Sequence, residues 1–421
     1  KTPSDLSYKE LSIDQLGELS STYKIDDIYP MSPAQEGLLF LNLRDDSTAY
    51  FEQISYELKG QLNIDWVRKS VLALQERHDV LRTVFVYEGL SLPVQILLEE
   101  IELELKVEDL RHLASTEQRS YIDNFKVSDR KRGFDLAKEI CLRVAVFQLS
   151  EDTYEFVWSH HHIIMDGWCA TILTDEYYQL YYGFAKGENV ELPKVRPYKD
   201  YIHWLGKQDR AEASSYWTAY LEDYDSTASV PQDLRRSSQE DFVAKRYVSH
   251  LSKEATTGIE ALCKEEQVTL NTVSQSLWGM LLGMYNGTQD VVYGNVVSGR
   301  PTDLEGVESM VGLFMNMNPS RIHYSAGDSF ADLIKRTQKE ALSSELHSYF
   351  PLATIQGKSS LKQDLLDHFL VFTNYPEASS IEGHVGPTNI EEEKLLHISN
   401  VEVFDHTNYN FNLIFVPGEQ F

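Results

Sequence analysis

Hydrophobic positions in this chain follow two periods in alternation, and the switches between them mark its elements. Ile54, Tyr56 and Leu58 alternate with polar residues as in a half-buried strand, and beyond Asn63 the residues Val67, Val71 and Leu74 recur at helical spacing as far as Arg77. A strand over 83–87 follows. Two apolar, β-branched runs, 141–149 and 154–159, flank Ser150-Glu151-Asp152-Thr153, which is a hairpin signature. From Asp166 the positions Trp168, Ile172, Leu173, Leu180 and Phe184 predict a helix closing near Gly187, and 192–197 reads as a crossing linker. The alternation then resumes: a strand over 243–251, a helix over 270–285, a strand over 291–297, a helix over 330–342, and strands near Phe369 and Phe411. The pattern predicts a mixed α/β fold with an N-terminal lobe over 29–187 and a C-terminal lobe over 188–421. Residues 1–28 are polar and acidic, with a short helical period at Ile13, Leu16 and Leu19, and read as a linker outside the core.

Length changes this picture by asking for two cores. A chain of 421 residues suits two ordinary domains or a pseudo-dimer of two similar lobes with a cleft between them. No short-period repeat is visible, so kinship between the lobes would lie in fold rather than in residues. With 42% hydrophobic and 24% charged residues, and no apolar run long enough to cross a bilayer, the composition is that of a soluble globular protein without a membrane role. The formal charge of −27, from 38 Lys and Arg against 65 Asp and Glu, argues against nucleic acid and anionic lipid as partners. Three cysteines, Cys141, Cys169 and Cys263, have no metal-ligand spacing and cannot all pair, which points to the reducing cytoplasm. No secretory signal opens the chain, and a start at Lys1 suggests a piece of something larger.

The segment richest in chemistry is Ser159-His160-His161-His162-Ile163-Ile164-Met165-Asp166-Gly167-Trp168, where a strand gives way to a loop and then a helix. A lone histidine at a strand end is ordinarily a satisfied polar residue. A shared metal is disfavoured, because adjacent strand residues point to opposite faces and no Cys or Glu stands nearby at ligand spacing. His161 and His162 should therefore meet different surroundings. A catalytic reading accounts for more: an Asp at a helix start can cap backbone N–H groups, and a Gly beside it permits close approach of a substrate.

His161-His162-Ile163-Ile164-Met165-Asp166-Gly167 resembles the His-His-x-x-x-Asp-Gly signature of nonribosomal peptide synthetase condensation domains, relatives of chloramphenicol acetyltransferase. Five further stretches are similar to that family's motifs, in the family's order. They are Ser32 to Leu38, Arg77 to Phe85, Tyr198 to Trp204, Val311 to Asn316 and His347 to Leu352. The resemblance implies an α/β pseudo-dimer of two chloramphenicol-acetyltransferase-like lobes with a substrate tunnel between them. It also implies peptide-bond formation between two carrier-bound thioesters. His162 would be the catalytic histidine and His161 its structural neighbour. Asp166 would organise the loop through a salt bridge to Arg300, and Gly167 would offer its N–H to the oxyanion. The implied partners are an upstream donor carrier, a downstream acceptor carrier and an adjacent adenylation domain. The carriers present phosphopantetheine, and this domain itself binds no cofactor and no metal.

Departures narrow the branch. Asn295 to Arg300 and Phe372 to Pro376 differ from the Glu-Gly-His-Gly-Arg and Phe-Asn-Tyr-Leu-Gly elements of epimerization domains, and both histidines stand where heterocyclization domains carry aspartates. Tyr29-Pro30-Met31-Ser32-Pro33, Arg77-His78-Asp79 and Asp166-Gly167-Trp168 are most similar to the class that takes an L-configured donor and an L-configured acceptor. The seventh family motif, Arg-Asp-x-Ser-Arg, is replaced by His406 to Asn412, and the family's closing helix is expected beyond Phe421. Two alternatives remain from other classes: a catalytically silent carrier-docking module of the same fold, and a stand-alone acyltransferase using free acyl-CoA.

Overall fold

The computed structural model describes residues 1–45, 49–101, 103–188, 190–231, 245–373, 383–386 and 395–418. In chain order the first elements are α1 (Ile13–Thr22), β1 (Ile25–Pro30), α2 (Pro33–Asp45), β2 (Phe51–Lys59), α3 (Ile64–Arg77), β3 (Thr83–Val86) and β4 (Val94–Leu98). Next come β5 (Glu104–Asp109), α4 (Ser115–Arg132), β6 (Leu142–Gln148), β7 (Thr153–His161), α5 (Gly167–Lys186), α6 (Lys199–Leu205), α7 (Arg210–Tyr220) and α8 (Lys253–Glu266). The last are α9 (Leu270–Asn286), β8 (Asp290–Val297), β9 (Asn316–His323), α10 (Phe330–Glu345), α11 (Leu352–Lys358), β10 (Phe369–Phe372), β11 (Gly383–Val385), β12 (Leu396–Phe404) and β13 (Asn412–Phe415). The chain forms two compact units, one of Lys1–Lys207, Arg300–Phe314 and Tyr375–His406, the other of Gln208–Gly299, Met315–Asn374 and Thr407–Phe421.

The first unit is built on a six-stranded sheet in the order β11-β12-β2-β7-β6-β5, antiparallel except for the parallel pair β5 and β6. Its hairpin strands are apolar on both faces, for a visible reason. Val144, Val146 and Phe156 point into a core closed by Val67, Val71 and Leu74 of α3 and Leu173, Tyr177 and Tyr181 of α5. Ala145, Phe147 and Val157 point the other way, onto Ile122 of α4. A strand buried on both faces reads as a continuous apolar run. Asn63 starts α3 by accepting from the N–H groups of Asp65 and Trp66, and Gly187 ends α5 in the left-handed conformation that glycine adopts without strain.

The second unit carries a four-stranded sheet in the order β13-β10-β8-β9, with β10 parallel to both its neighbours. Val291 and Tyr293 of β8 face Trp278 and Leu282 of α9, while Val292 between them faces Trp217 of α7 and Ile355 of α11. The period of two thus serves a core on each side of the sheet.

Three expectations change. Residues 1–28 are not outside the core: Leu6, Tyr8, Leu11, Leu16, Leu19, Ile25 and Ile28 pack with Val84, Val94 and Ile96 of a three-stranded sheet ordered β1-β4-β3. Instead of a lobe boundary at residue 187, the first unit runs on to Lys207 and takes in two later segments. Residues Arg300–Phe314 and Tyr375–His406 belong with the first unit, and β12 hydrogen-bonds along β2. The strand over 243–251 does not form in its described part, 245–251, which has no regular structure; Val243 and Ala244 lie outside the described residues.

Candidate active site

Cross-strand register assembles the histidine cluster. His160 and His161 are the last two residues of β7, opposite Glu52 and Phe51 of β2. Directly opposed side chains share a face, and Glu52 Oε2 lies 2.8 Å from His160 Nε2. His161 turns into the core, where its Nδ1 accepts the N–H of Ile163 at 3.0 Å and so caps the short 3-10 turn His162–Ile164. Burial, and then the neighbouring rings of His162 and His160, push the His161 pKa down to about 3, so this ring stays neutral.

His162 steps off the strand. Its N–H donates to the carbonyl of Tyr50 at 2.8 Å, and its side chain keeps 22% of its surface open, with Nε2 3.5 Å from Glu52 Oε1. Burial works to lower its pKa, but the Glu52 carboxylate, the carbonyls of His162 itself and Met165, and Asp166 outweigh that and raise it. For Glu52, burial works upward, yet the three histidines prevail and hold its carboxyl down at about 2. The two neighbouring histidines thus meet different surroundings, one sealed in the core and one partly open.

These shifts predict how stability depends on pH. His161 has a folded pKa far below its unfolded value near ~6.5, so the unfolded chain binds the extra proton between those values. Stability from the neutral ring is complete above pH ~6.5 and declines as pH falls toward 3, with Glu52 adding to the loss only below ~4.5. Melting curves from pH 8 to pH 4 are expected to show this decline. His161→Asn, which keeps an acceptor for Ile163 N–H and removes the titration, is expected to flatten it between pH 6.5 and 4.5. An unchanged slope in that variant would assign the decline to other groups.

Asp166 departs from its expected capping role. It is the residue before α5, yet its side chain makes no cap hydrogen bond. Its carboxylate instead accepts the backbone N–H of Phe314 at 3.0 Å and the Cys169 thiol at 3.3 Å, and meets Arg300 Nη2 at 3.4 Å. The Asp166 side chain is fully buried and the Arg300 side chain 5% exposed, so the two charges share one dry site. Arg300 also donates to the carbonyls of Met310 and Val307, and its guanidinium lies 4.1 Å from the centre of the Phe314 ring. The ion pair and the Phe314 N–H therefore bind segment 300–314 to the start of α5. Gly167 is the first residue of that helix and partly exposed, and N–H groups of a first turn have no intrahelical partner.

The other motif segments of the first unit support this arrangement. Gln35 donates to the carbonyl of Ile163 at 3.2 Å, holding the turn after His162 from below. Arg77 and His78 both grip Glu176 of α5, the latter at 2.6 Å. Tyr198 donates to the carbonyl of Leu313 and lies against Gly312, where an added Cβ would stand 2.1 Å from the tyrosine ring. Gly312→Ala is accordingly expected to destabilise the domain by about 1–3 kcal/mol, read as a lower melting temperature, because neither the ring nor the strap can yield easily. A melting curve identical to wild type would show that Tyr198 moves freely. His347 to Leu352 lies in the second unit. Sequence reading missed Glu52, whose place beside the histidines depends on strand register, and missed Cys169 and Phe314 as partners of Asp166. Among the described residues no group of three or more His, Cys, Asp or Glu is arranged to hold a metal ion, and no helix is long and apolar enough to cross a membrane.

The site thus sets a partly open imidazole close before a buried ion pair, and the mixed α/β fold matches that of solved condensation-domain structures. A family model described as "Condensation domain" matches residues 25–421, and the chain belongs to that family, whose members in peptide synthetases form peptide bonds. It is 39% identical over 417 residues to bacitracin synthase 1 of Bacillus licheniformis, covering 98% of this chain and 8% of that protein. It is 38% identical over 400 residues to the third surfactin synthase protein of Bacillus subtilis strain 168, covering 94% of this chain and 31% of that protein. The chain thus spans a small part of the curated relatives it matches. The structure of the starter condensation domain of rhizomide synthetase is similar with a TM-score of 0.72 at 16% identity, covering 94% of this chain and 89% of that one.

Proposed function

We propose that this domain transfers the aminoacyl or peptidyl group of a donor thioester, carried by an upstream carrier domain, to the α-amine of an aminoacyl thioester on a downstream carrier. Phosphopantetheine arms on the carriers deliver both substrates, and an adenylation domain stands nearby in the assembly. The class of donor and acceptor is L and L, on the motif resemblances at Tyr29 to Pro33 and Arg77 to Asp79. The observation that carries the reading is the partly open side chain of His162, directly after β7 and close before the buried pair of Asp166 and Arg300.

A free α-amine has a pKa near ~8, so a useful fraction is neutral at pH 7 and strong base is not needed. As the amine nitrogen bonds to the thioester carbon, that nitrogen becomes acidic, and neutral His162 accepts its proton at Nε2. Collapse of the adduct breaks the C–S bond, and the proton passes to the departing thiolate. General-base help of this kind is typically worth ~10² to 10⁴-fold, while fixed register of two reactants supplies effective molarities of ~10⁵ M or more. Asp166 and Arg300 serve the second term by holding the loop that carries His162. Gly167 offers its N–H to the oxyanion at the positive end of α5.

Intact-mass detection tests the reaction. An L-aminoacyl donor carrier and an L-aminoacyl acceptor carrier mixed with the domain are expected to yield a dipeptidyl acceptor carrier. No product across a panel of acyl groups, with free acyl-CoA equally inert, would leave a carrier-docking module as the function.

A further inference from the structure

Glu52 belongs to none of the motif segments, yet its carboxylate spans two of the three histidines. Oε2 is 2.8 Å from His160 Nε2 on the neighbouring strand and Oε1 is 3.5 Å from His162 Nε2, the nitrogen that has to be open to the amine. The other His162 nitrogen, Nδ1, is buried and makes no hydrogen bond among the described residues, so Nε2 is the ring nitrogen that meets a charged group. A proton arriving at Nε2 then meets an anion already in place. The further ionisable groups facing the pair are His160 and His161 from β7 and Asp166 before α5. His161 stays neutral and Asp166 is engaged with Phe314 and Arg300, so Glu52 is the carboxylate in contact with the ring.

We propose that Glu52 is a positioning residue for His162: pinned by His160, its carboxylate fixes the plane of the His162 ring and balances the charge the ring acquires when it takes the amine's proton. The inference rests on the acyl-transfer reading. The chemistry is unchanged by it: the C–N bond forms, the proton moves from nitrogen to Nε2, the C–S bond breaks and the thiolate leaves with that proton. Glu52 gains and loses nothing. A merely structural carboxylate would hold two strands together and leave the basicity of His162 alone.

The test compares wild type, Glu52→Gln and Glu52→Asp in two readouts. One is single-turnover condensation between aminoacyl carriers from pH 5.5 to 9; the other is the NMR titration of labelled histidine, with the His162 signal assigned by its loss in His162→Ala. Removing the negative charge lowers the His162 pKa, so the ring becomes neutral at lower pH. In Glu52→Gln the acid limb of the rate and the NMR midpoint are both expected to fall by about one unit. The plateau rate is expected to drop about tenfold or more, with the KM for the acceptor carrier within about twofold. Glu52→Asp, which keeps the charge, is expected to move the midpoint less. An unmoved midpoint in a folded Glu52→Gln protein overturns the proposal, as does a slower plateau with an unmoved acid limb. If wild type itself makes no product, the acyl-transfer reading fails, and the NMR midpoint alone still decides whether Glu52 governs His162.

Discussion

Asp166→Ala lowers the melting temperature of the domain by about 5–10 °C and removes nearly all condensation activity. The stability loss follows from burial: taking away one partner of a dry ion pair leaves the Arg300 charge uncompensated, at a cost of about 3–5 kcal/mol. It also strips the Phe314 N–H of its acceptor. The activity loss follows from geometry, since the strap 300–314 is then released from the start of α5, directly after the turn that carries His162. Asp166→Asn keeps an acceptor for Phe314 and is expected to lie between wild type and alanine. Converting both Asp166 and Arg300 to leucine separates the two effects, because replacing a buried pair by apolar groups often restores stability. That double variant is expected to regain much of the melting temperature without regaining activity. Scanning calorimetry beside the condensation assay reads both, and full activity in the double variant would show that the ion pair only stabilises.

The second large effect is on rate. His162→Ala is expected to slow condensation by about 10² to 10⁴-fold while lowering the melting temperature less than Asp166→Ala does, because the His162 side chain keeps 22% of its surface open whereas that of Asp166 is fully buried. The sign of the pH dependence follows from the direction of the pKa shift. With His162 as the proposed base, neutral imidazole is the active form, and Glu52 raises the pKa, so the wild-type rate is expected to climb as pH passes through a value above the ordinary one near ~6.5. In the alanine variant that limb disappears and the residual rate follows only the ionisation of the amine.

Which parts of the molecule could be read from the chain depended on where polar groups were spent. The helices α3, α5, α9 and α10 and the β6–β7 hairpin carry apolar stripes that match their elements, and their periods give them away. Helix α4 was missed because its buried face includes Lys126 and Asp129. Lys126 meets Glu155 and Glu402, Asp129 meets Arg143, and such pairs remove the apolar stripe from the sequence. The acidic N-terminus misled for a related reason: Leu16 and Leu19 show a helical period, but the charge around them pointed to a linker and away from the core in which they lie. The run at 243–251 has strand-like residues, but strand propensity depends on context, and its described part, 245–251, takes no regular structure.

The site divides in the same way. His161, His162, Asp166 and Gly167 are contiguous in sequence and could be named from it, together with Arg300 through the family resemblance. The direction of the Asp166 carboxylate could not, since a helix start favours capping and only the folded strap supplies Phe314 N–H as a stronger claim. Glu52 was out of reach because its position opposite His160 is a property of register between strands about a hundred residues apart.

Everything above turns on His162 serving the formation of a peptide bond between two carriers. The decisive comparison is single-turnover intact mass of the downstream carrier, for wild type and His162→Ala at pH 7.5. Wild type is expected to give a rapid gain of the donor's aminoacyl mass, and the variant a gain at least ~10²-fold slower. Equal rates from the two proteins would contradict this and remove His162 from the reaction.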